Sequence, residues 1–498
     1  MKIVIFIHNC KIQKMLNKIV NFITIGFLLI GLMSCSSKTS TKKPLVLNSA
    51  EKSERLPNII YIMADDLGYG DLGVYGQEKI KTPNLDKMSS EGMLFTQHYS
   101  GSTVCMPSRA SLLTGKHMGH STVRGNPRWT STGKPVDIKD EDITVAEELK
   151  RVGYKTGIIG KWGLAEGDET GMPLKQGFDY FYGYRRHGPA HHYYPKELWE
   201  NNESFDTGNN TKEKRGTYSH DTFAEKAKQF VTENKENPFF LYLAFTIPHY
   251  ELTVPEESKM PYQTLNWEER DLTKKRSNYY HDKDGHVSYA GMISRMDRDI
   301  GDLLKLLDQL NLSDNTLIVF TSDNGHEFDK DFFNSNGALK GKKRDLYEGG
   351  IRIPFIVKWP NKVKPNTKTD HISAFWDFLP TVCDIVNIEP TDKSIDGISY
   401  LPTLIGETQK QHDYLYWEFN ESKGPVQAIR KDNWKAVKYL DKDLELYDLS
   451  IDLGEENNLA KENPEMVKEM ENLLIEARTE DANFPLDYHE RVKNKMAK

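Results

Sequence analysis

Cysteine is scarce in this chain: four residues in 498, at Cys10, Cys35, Cys105 and Cys383. So few thiols imply no disulfide framework, and a chain of this length buries enough apolar surface to do without one. An excess of positive charge is also missing. The formal net charge is −7 at pH 7, so no nucleic-acid binding is expected, while the spread of acidic residues leaves room for a locally basic pocket that holds an anion. Long hydrophobic runs are absent too. Ile19 to Ser34 carries no charged residue, but its apolar part, Phe22 to Met33, is too short to span a bilayer comfortably. No internal repeat is visible, and the hydrophobic content of 38% is ordinary for a globular protein.

That short apolar run suits the core of a secretory signal, with Lys14 and Lys18 as its positive flank. Leu32-Met33-Ser34-Cys35 resembles a bacterial lipobox, which makes residues 1–35 a signal peptide with lipobox and Cys35 the residue to be lipidated and to become the mature N-terminus. The alternative is a plain secretory signal with an incidental cysteine. Met15 is an equally good start, giving a signal of ordinary length. Residues 36–57 are rich in Ser and Lys and lack periodicity, as a flexible tether does. The expectation is an extracytoplasmic protein, anchored by lipid to a membrane in the periplasm or at the surface of a Gram-negative bacterium.

From Asn58 onward, short apolar runs alternate with helical patterns. Runs such as FFLYLAF and TLIVFT are continuously apolar, which fits strands covered by helices on both faces. Met292, Ile293, Met296, Ile300, Leu303, Leu304 and Leu307 share one helical face. The expected fold is an α/β/α sandwich with a mostly parallel central sheet over residues 58–406. Beyond about Gly406 the texture changes to short alternating runs and one last helical pattern, EMVKEMENLLIEAR. Residues 407–498 therefore read as a smaller subdomain with an antiparallel sheet and a terminal helix.

Val104 to Gly115 reads VCMPSRASLLTG. Pro107 suits the first turn of a helix that Gly115 stops, so Cys105 lies at a helix N-terminus, where free N–H groups and the dipole favour an anion. MADDLGYGD follows the first strand, and a later strand, TLIVFT, ends in SDNG. Asp65, Asp66, Asp323 and Asn324 thus offer hard oxygen ligands at two strand ends, a set suited to Ca²⁺ and less to zinc. Asp71 is closer to a turn role. Cys383 sits in an apolar helical pattern and reads as a small buried hydrophobe.

These motifs resemble those of type I sulfatases, within the alkaline phosphatase superfamily, and the resemblance covers the chain from Asn58 onward. It implies a large alkaline-phosphatase-like domain with a smaller C-terminal subdomain. It also implies that a formylglycine-generating maturase oxidises Cys105 to formylglycine, whose hydrate attacks sulfur. One Ca²⁺ is then held by Asp65, Asp66, Asp323 and Asn324, with residue 105 completing the shell. Arg109 hydrogen-bonds the hydrate, Lys161 and Lys343 neutralise the sulfate, and His249 protonates the departing alcohol. Lys343 is placed by counting back from Tyr347 to Gly350, with Lys340 and Lys342 as close competitors.

One position departs from the family. Most relatives carry a histidine two residues after the lysine of Gly-Lys-Trp, credited with ejecting sulfate; here that position is Gly163. Either another base replaces it, with His117, His191 and His326 as the candidates, or the step is differently assisted. The segment GFDYFYGYRRHGPAHHYYP gathers Arg185, Arg186, His187, His191 and His192 in a loop suited to sugar hydroxyls, or to packing alone. The resemblance implies a sulfated saccharide substrate, leaning towards galactose or N-acetylgalactosamine sulfate. The rival readings are a phosphate or phosphonate ester hydrolase of the same superfamily, and a surface lipoprotein that binds sulfated glycans without turnover.

Overall fold

The computed structural model describes residues 55–487, apart from 168, 209, 212, 213, 274–277, 422 and 423. The expected signal, lipobox and most of the tether lie outside the described residues. Within them, no helix is long and apolar enough to cross a membrane.

The large sheet holds β1 (Asn58–Ala64), β2 (Met93–Tyr99), β3 (Lys155–Lys161), β4 (Tyr180–Tyr184), β5 (Glu197–Glu200), β6 (Glu203–Asp206), β7 (Phe239–Ala244), β8 (Thr316–Ser322), β9 (Arg352–Lys358), β10 (Thr367–Thr369) and β11 (Ser373–Ala374). Its order is β10-β2-β9-β8-β1-β7-β3-β4-β5-β6, with β11 paired to β2. The centre, β8-β1-β7-β3-β4, is parallel throughout, whereas β9 runs antiparallel to both its neighbours.

Strand β1 shows why its residues form a central strand. Ile60, Ile62 and Ala64 enter one core cluster while Ile59, Tyr61 and Met63 enter another, so both faces are apolar and covered. Counting helices of eight residues or more, these are α1 (Pro83–Ser90), α2 (Cys105–Thr114), α3 (Ser219–Asn234), α4 (Glu256–Gln263), α5 (Gly285–Gln309), α6 (Phe378–Ile385) and α7 (Pro464–Glu476). Helices α3 and α5 contribute to the first cluster; α2 and α6 contribute to the second. The result is the expected mixed α/β sandwich, mostly parallel at its centre.

A second sheet, β12 (Leu415–Phe419), β13 (Val426–Lys431), β14 (Trp434–Tyr439) and β15 (Glu445–Asp448), is antiparallel throughout. Leu415, Trp417 and Phe419 pack with Val104, Ile351 and Trp376, while Tyr416 on the opposite face packs with Met470 and Leu474 of α7. Period-two alternation in one strand thereby joins the small sheet to the large one on one side and to the terminal helix on the other.

Candidate active site

Four adjacent parallel strands, β8, β1, β7 and β3, end at the same edge of the sheet. Ala64 is in register with Ser322, Met63 with Ala244 and Gly160 with Ala244. The residues that follow must therefore meet: Asp65 and Asp66 after β1, Asp323 and Asn324 after β8, and His249 in the turn after β7, with Lys161 the last residue of β3. This is where open α/β sheets place ligands.

Helix α2 brings Cys105 to the same point. Its N-cap is Val104, its C-cap Gly115 is left-handed at φ 71°, and Ser108 Oγ donates to Asp323 O at 2.6 Å, tying the first turn to the end of β8. Cys105 Sγ donates to Asp65 Oδ1 at 3.4 Å and lies 3.6 Å from Lys343 Nζ. Arg109, one turn on, donates through Nε (3.0 Å) and Nη2 (2.8 Å) to Asp323 Oδ2 and through Nη1 to Lys161 O at 3.1 Å. Lys161 Nζ meets Asp65 Oδ2 at 2.7 Å, Lys343 Nζ meets Asp66 Oδ2 at 2.6 Å, and His249 Nε2 lies 3.5 Å from Asp66 Oδ2.

Donor chemistry favours a hard cation here. Asp65, Asp66 and Asp323 are fully buried together with Asn324, whose Oδ1 has no hydrogen-bond partner. Ligand atoms of Asp65, Asp66, Cys105 and His249 all fall within 4.8 Å of one another. Three carboxylates and an orphaned amide oxygen fit Ca²⁺.

The family model described as sulfatase matches residues 57–388, two-thirds of the chain. The chain belongs to the sulfatase family. A second model, the C-terminal part of N-sulphoglucosamine sulphohydrolase, matches residues 341–480. The N-acetylgalactosamine-6-O-sulfatase of Bacteroides thetaiotaomicron is 30% identical, covering 89% of this chain and 96% of that protein. Human steryl-sulfatase is 29% identical, covering 76% of each chain. Among solved structures, the crystal structure of Ps i-CgsB in complex with k-i-k-neocarrahexaose superposes with a TM-score of 0.75 at 27% identity, covering 89% of this chain and 97% of that one. The protein is thus a sulfuric ester hydrolase.

In this sulfatase, burial opposes every charge at the site. It pushes the Asp65 carboxyl up, but Lys161, Arg109 and Lys343 overcome it and hold that group well below the usual carboxylate range. Asp66 and Asp323 are instead pushed up by burial, with Asp65 repelling both. The Cys105 thiol is raised by burial and then by Asp65, so the unmodified sulfur stays protonated and is a poor nucleophile. His249, His191 and His187 are driven well below the ordinary imidazole range, first by burial and then by neighbouring lysines and histidines, which leaves three neutral rings.

Of the three lysines in the run before Tyr347, Lys343 alone enters the cluster: Lys340 Nζ stacks over Tyr347 at 4.1 Å and donates to Glu455 O at 2.7 Å, and Lys342 is exposed. Of the histidines expected to stand in for one at Gly163, His117 is elsewhere. It packs against Trp376 and Tyr416 and pairs with Asp396 beside His120, because its segment runs under the small sheet. His326 is buried, its charged neighbours being Lys342, Lys330 and Glu327 instead of the carboxylate cluster. His191 does reach the site, stacking on His249 at 4.0 Å and 5°, with Nε2 3.5 Å from Lys161 Nζ.

The residues expected to contact sugar divide. His187 lies against His191 at 4.8 Å, inside the cluster, whereas His192, Arg185 and Arg186 line a neighbouring cavity of about 970 Å³. Asp71 takes the turn role, accepting from Gly68 N at 2.8 Å and Tyr289 OH at 2.7 Å. Two participants escape sequence reading. Glu327 pairs with Lys343 at 3.4 Å, and the Tyr279 ring lies 5.9 Å from His249. Neither stands in a motif; only the fold brings them in.

Proposed function

We propose that this sulfatase removes O-sulfate from a sulfated carbohydrate, with residue 105 as formylglycine and one Ca²⁺ held by Asp65, Asp66, Asp323 and Asn324. The observation that carries the reading is the convergence of Cys105, Arg109, Lys161, Lys343 and His249 on one buried edge of the sheet. Similarity to a bacterial N-acetylgalactosamine-6-O-sulfatase supports a galactose-type or N-acetylgalactosamine sulfate as substrate.

When oxidised, residue 105 supplies a hydrated aldehyde in place of a protonated thiol, and a bound Ca²⁺ supplies charge to acidify its hydroxyl and polarise a sulfate oxygen. Arg109, fixed on Asp323 and on Lys161 O, orients the nucleophilic position. Lys161 and Lys343 flank residue 105 and neutralise the ester oxygens. The neutral His249 ring gains proton affinity as an anionic ester docks beside it, and donates to the leaving sugar oxygen. With glycine at 163, His191 takes the second hydroxyl proton that must leave for sulfate to depart: its ring nitrogen and Cys105 Sγ fall within one 4.8 Å group.

Residues 1–35 as a lipoprotein signal, 36–57 as tether, 58–406 as catalytic body and 407–498 as an appended subdomain complete the proposal. Together they place the enzyme outside the cytoplasm, lipid-anchored at Cys35. Intact mass of protein from its own host tests the modification and the anchor together, and sulfate release from defined sulfated saccharides tests the activity. The expected result is an aldehyde at 105 with turnover; a free thiol with undiminished sulfate release would overturn the reading.

A further inference from the structure

The large cavity beside the catalytic cluster is built for more than a sugar ring. Its volume of about 970 Å³ lies at the top of the range for small-ligand pockets. It is also contiguous with the chemistry. Tyr279 lines it and stands 5.9 Å from His249 and 6.3 Å from His191. Tyr184, also on its wall, is the register partner of Lys161, and Gly163 N donates to Arg185 O at 3.3 Å. A leaving group that takes its proton from His249 therefore departs along this wall.

The lining brings Arg185, Arg186, Lys196 and Arg215 together with Glu169, Glu197 and Glu251, Glu169 lying near enough to Arg185 to attract it. Arg215 is already paired with Asp282. Glu251 is buried and committed, accepting from His192 at 2.7 Å, Tyr193 N at 3.3 Å and Tyr280 N at 3.0 Å. Arg186 and Lys196 are exposed.

Arg185 differs from these. Its guanidinium is half-buried and lies over the Trp199 ring at 4.2 Å, with Nε against Met172 Sδ at 3.3 Å, and among the described residues it makes no hydrogen bond to a carboxylate. Stacking on an indole fixes the plane of a guanidinium while leaving N–H edges free, the geometry that receives a carboxylate or sulfate in bidentate fashion. A wall made for a neutral sugar would offer the open face of Trp199; here a cation covers it.

Resting on the sulfatase reading above, we propose that this cavity binds a second anionic group on the sugar next to the one being desulfated, with Arg185 as its receptor. The preferred substrate is then an acidic oligosaccharide. A uronate carboxylate and a second sulfate ester share the required chemistry.

The test compares kcat/KM of the matured enzyme on four substrates that share one sulfated unit: the monosaccharide, and disaccharides whose neighbouring unit is neutral, carboxylated or sulfated. An acidic neighbour is expected to raise kcat/KM about tenfold or more over the neutral one, mostly through KM, the scale of one charge-assisted pair. The two acidic disaccharides identify which anion is preferred. Arg185→Ala is expected to collapse the acidic-to-neutral ratio towards one, and Arg185→Lys to keep part of it. Should either variant fold poorly, calorimetry on Cys105→Ala protein reads the same preference as tighter binding of the acidic disaccharide. Equal turnover of neutral and acidic disaccharides, or a ratio untouched by Arg185→Ala, overturns the proposal. Sulfate release from none of the four overturns the parent reading and this one with it.

Discussion

Lys340, Lys342 and Lys343 show what single residues do and do not disclose. They stand in a loop without helical or strand period, so no face separates them in the sequence, and only the distance to the Tyr-Glu-Gly-Gly motif favours the last. The structure parts them by environment: Lys343 reaches Asp66 at 2.6 Å, while Lys340 lies over Tyr347 and Tyr447 with its ammonium on Glu455 O. Removing each should give a different phenotype. Lys343→Ala is expected to lower kcat by about 10²–10³-fold, the scale of one preorganised donor, with a folded protein remaining. Lys340→Ala is expected to lower the unfolding midpoint and leave kcat within a few-fold of the parent. Steady-state kinetics and a thermal scan on both proteins decide it, and an exchange of the two phenotypes would move the site to Lys340. His117 illustrates the opposite limit. Its motif neighbours place it near Cys105 in sequence, but Gly115 ends α2, and the chain then turns away to Asp396.

At the scale of elements, the parallel strands were legible because both faces are apolar, and the α5 stripe because its period is helical. β5 and β6 were not, since ELWE and ESFD carry mostly half-buried or exposed residues and pair only with each other and the sheet's edge. One part of the joint between the two sheets was equally hidden, because beside its apolar cluster it is made of charge. Lys435 of β14 is fully buried between Glu348 Oε1 at 2.8 Å and Glu455 Oε1 at 2.9 Å, and Glu348 also meets Arg352 at 3.2 Å. Two carboxylates thus share one lysine. The arginine on Glu348 decides the split: burial raises both, but Lys435, Arg352 and Arg430 hold Glu348 down, whereas Glu455 is pushed up to about 7 by burial, with Glu348 repelling it. A carboxyl raised on folding binds its proton more tightly in the native state, so it costs nothing below its unfolded value and costs progressively more as pH rises towards 7. Glu455→Gln removes that cost and keeps one acceptor oxygen, for Lys435 or for Glu348 N, and the lost contact is the same at every pH. The midpoint of the variant minus that of the parent is therefore expected to be more positive at pH 8 than at pH 5. A difference independent of pH would mean that Glu455 is ionised throughout.

Across the whole molecule, the sheet gathers at one edge three carboxylates, Asp65, Asp66 and Asp323, and three cationic side chains, Arg109, Lys161 and Lys343. Formally these sum to zero, and Glu327, beside Lys343, is matched by Arg344 at 2.6 Å. A divalent cation alone leaves the buried site with two excess positive charges, and a sulfate dianion alone leaves two excess negative ones, each uncompensated in a medium where charge is costly. Together the two ions restore neutrality. Calcium and inorganic sulfate should accordingly bind with positive coupling, each tightening the other by the same factor, as linkage requires. The measurement is the unfolding midpoint of the chelator-treated protein titrated with Ca²⁺, with sodium sulfate, and with both at constant ionic strength, since ligands of the native state stabilise it by mass action. The expected outcome is a joint shift larger than the sum of the separate ones, and a smaller shift with Mg²⁺, whose octahedral demand suits this many rigid oxygens less well. In Asp323→Asn protein the starting balance is already positive, so the coupling should weaken and sulfate alone should stabilise more than it does the parent. Strictly additive shifts in the parent would show that the two ions bind without coupling, and the charge-balance account would fall.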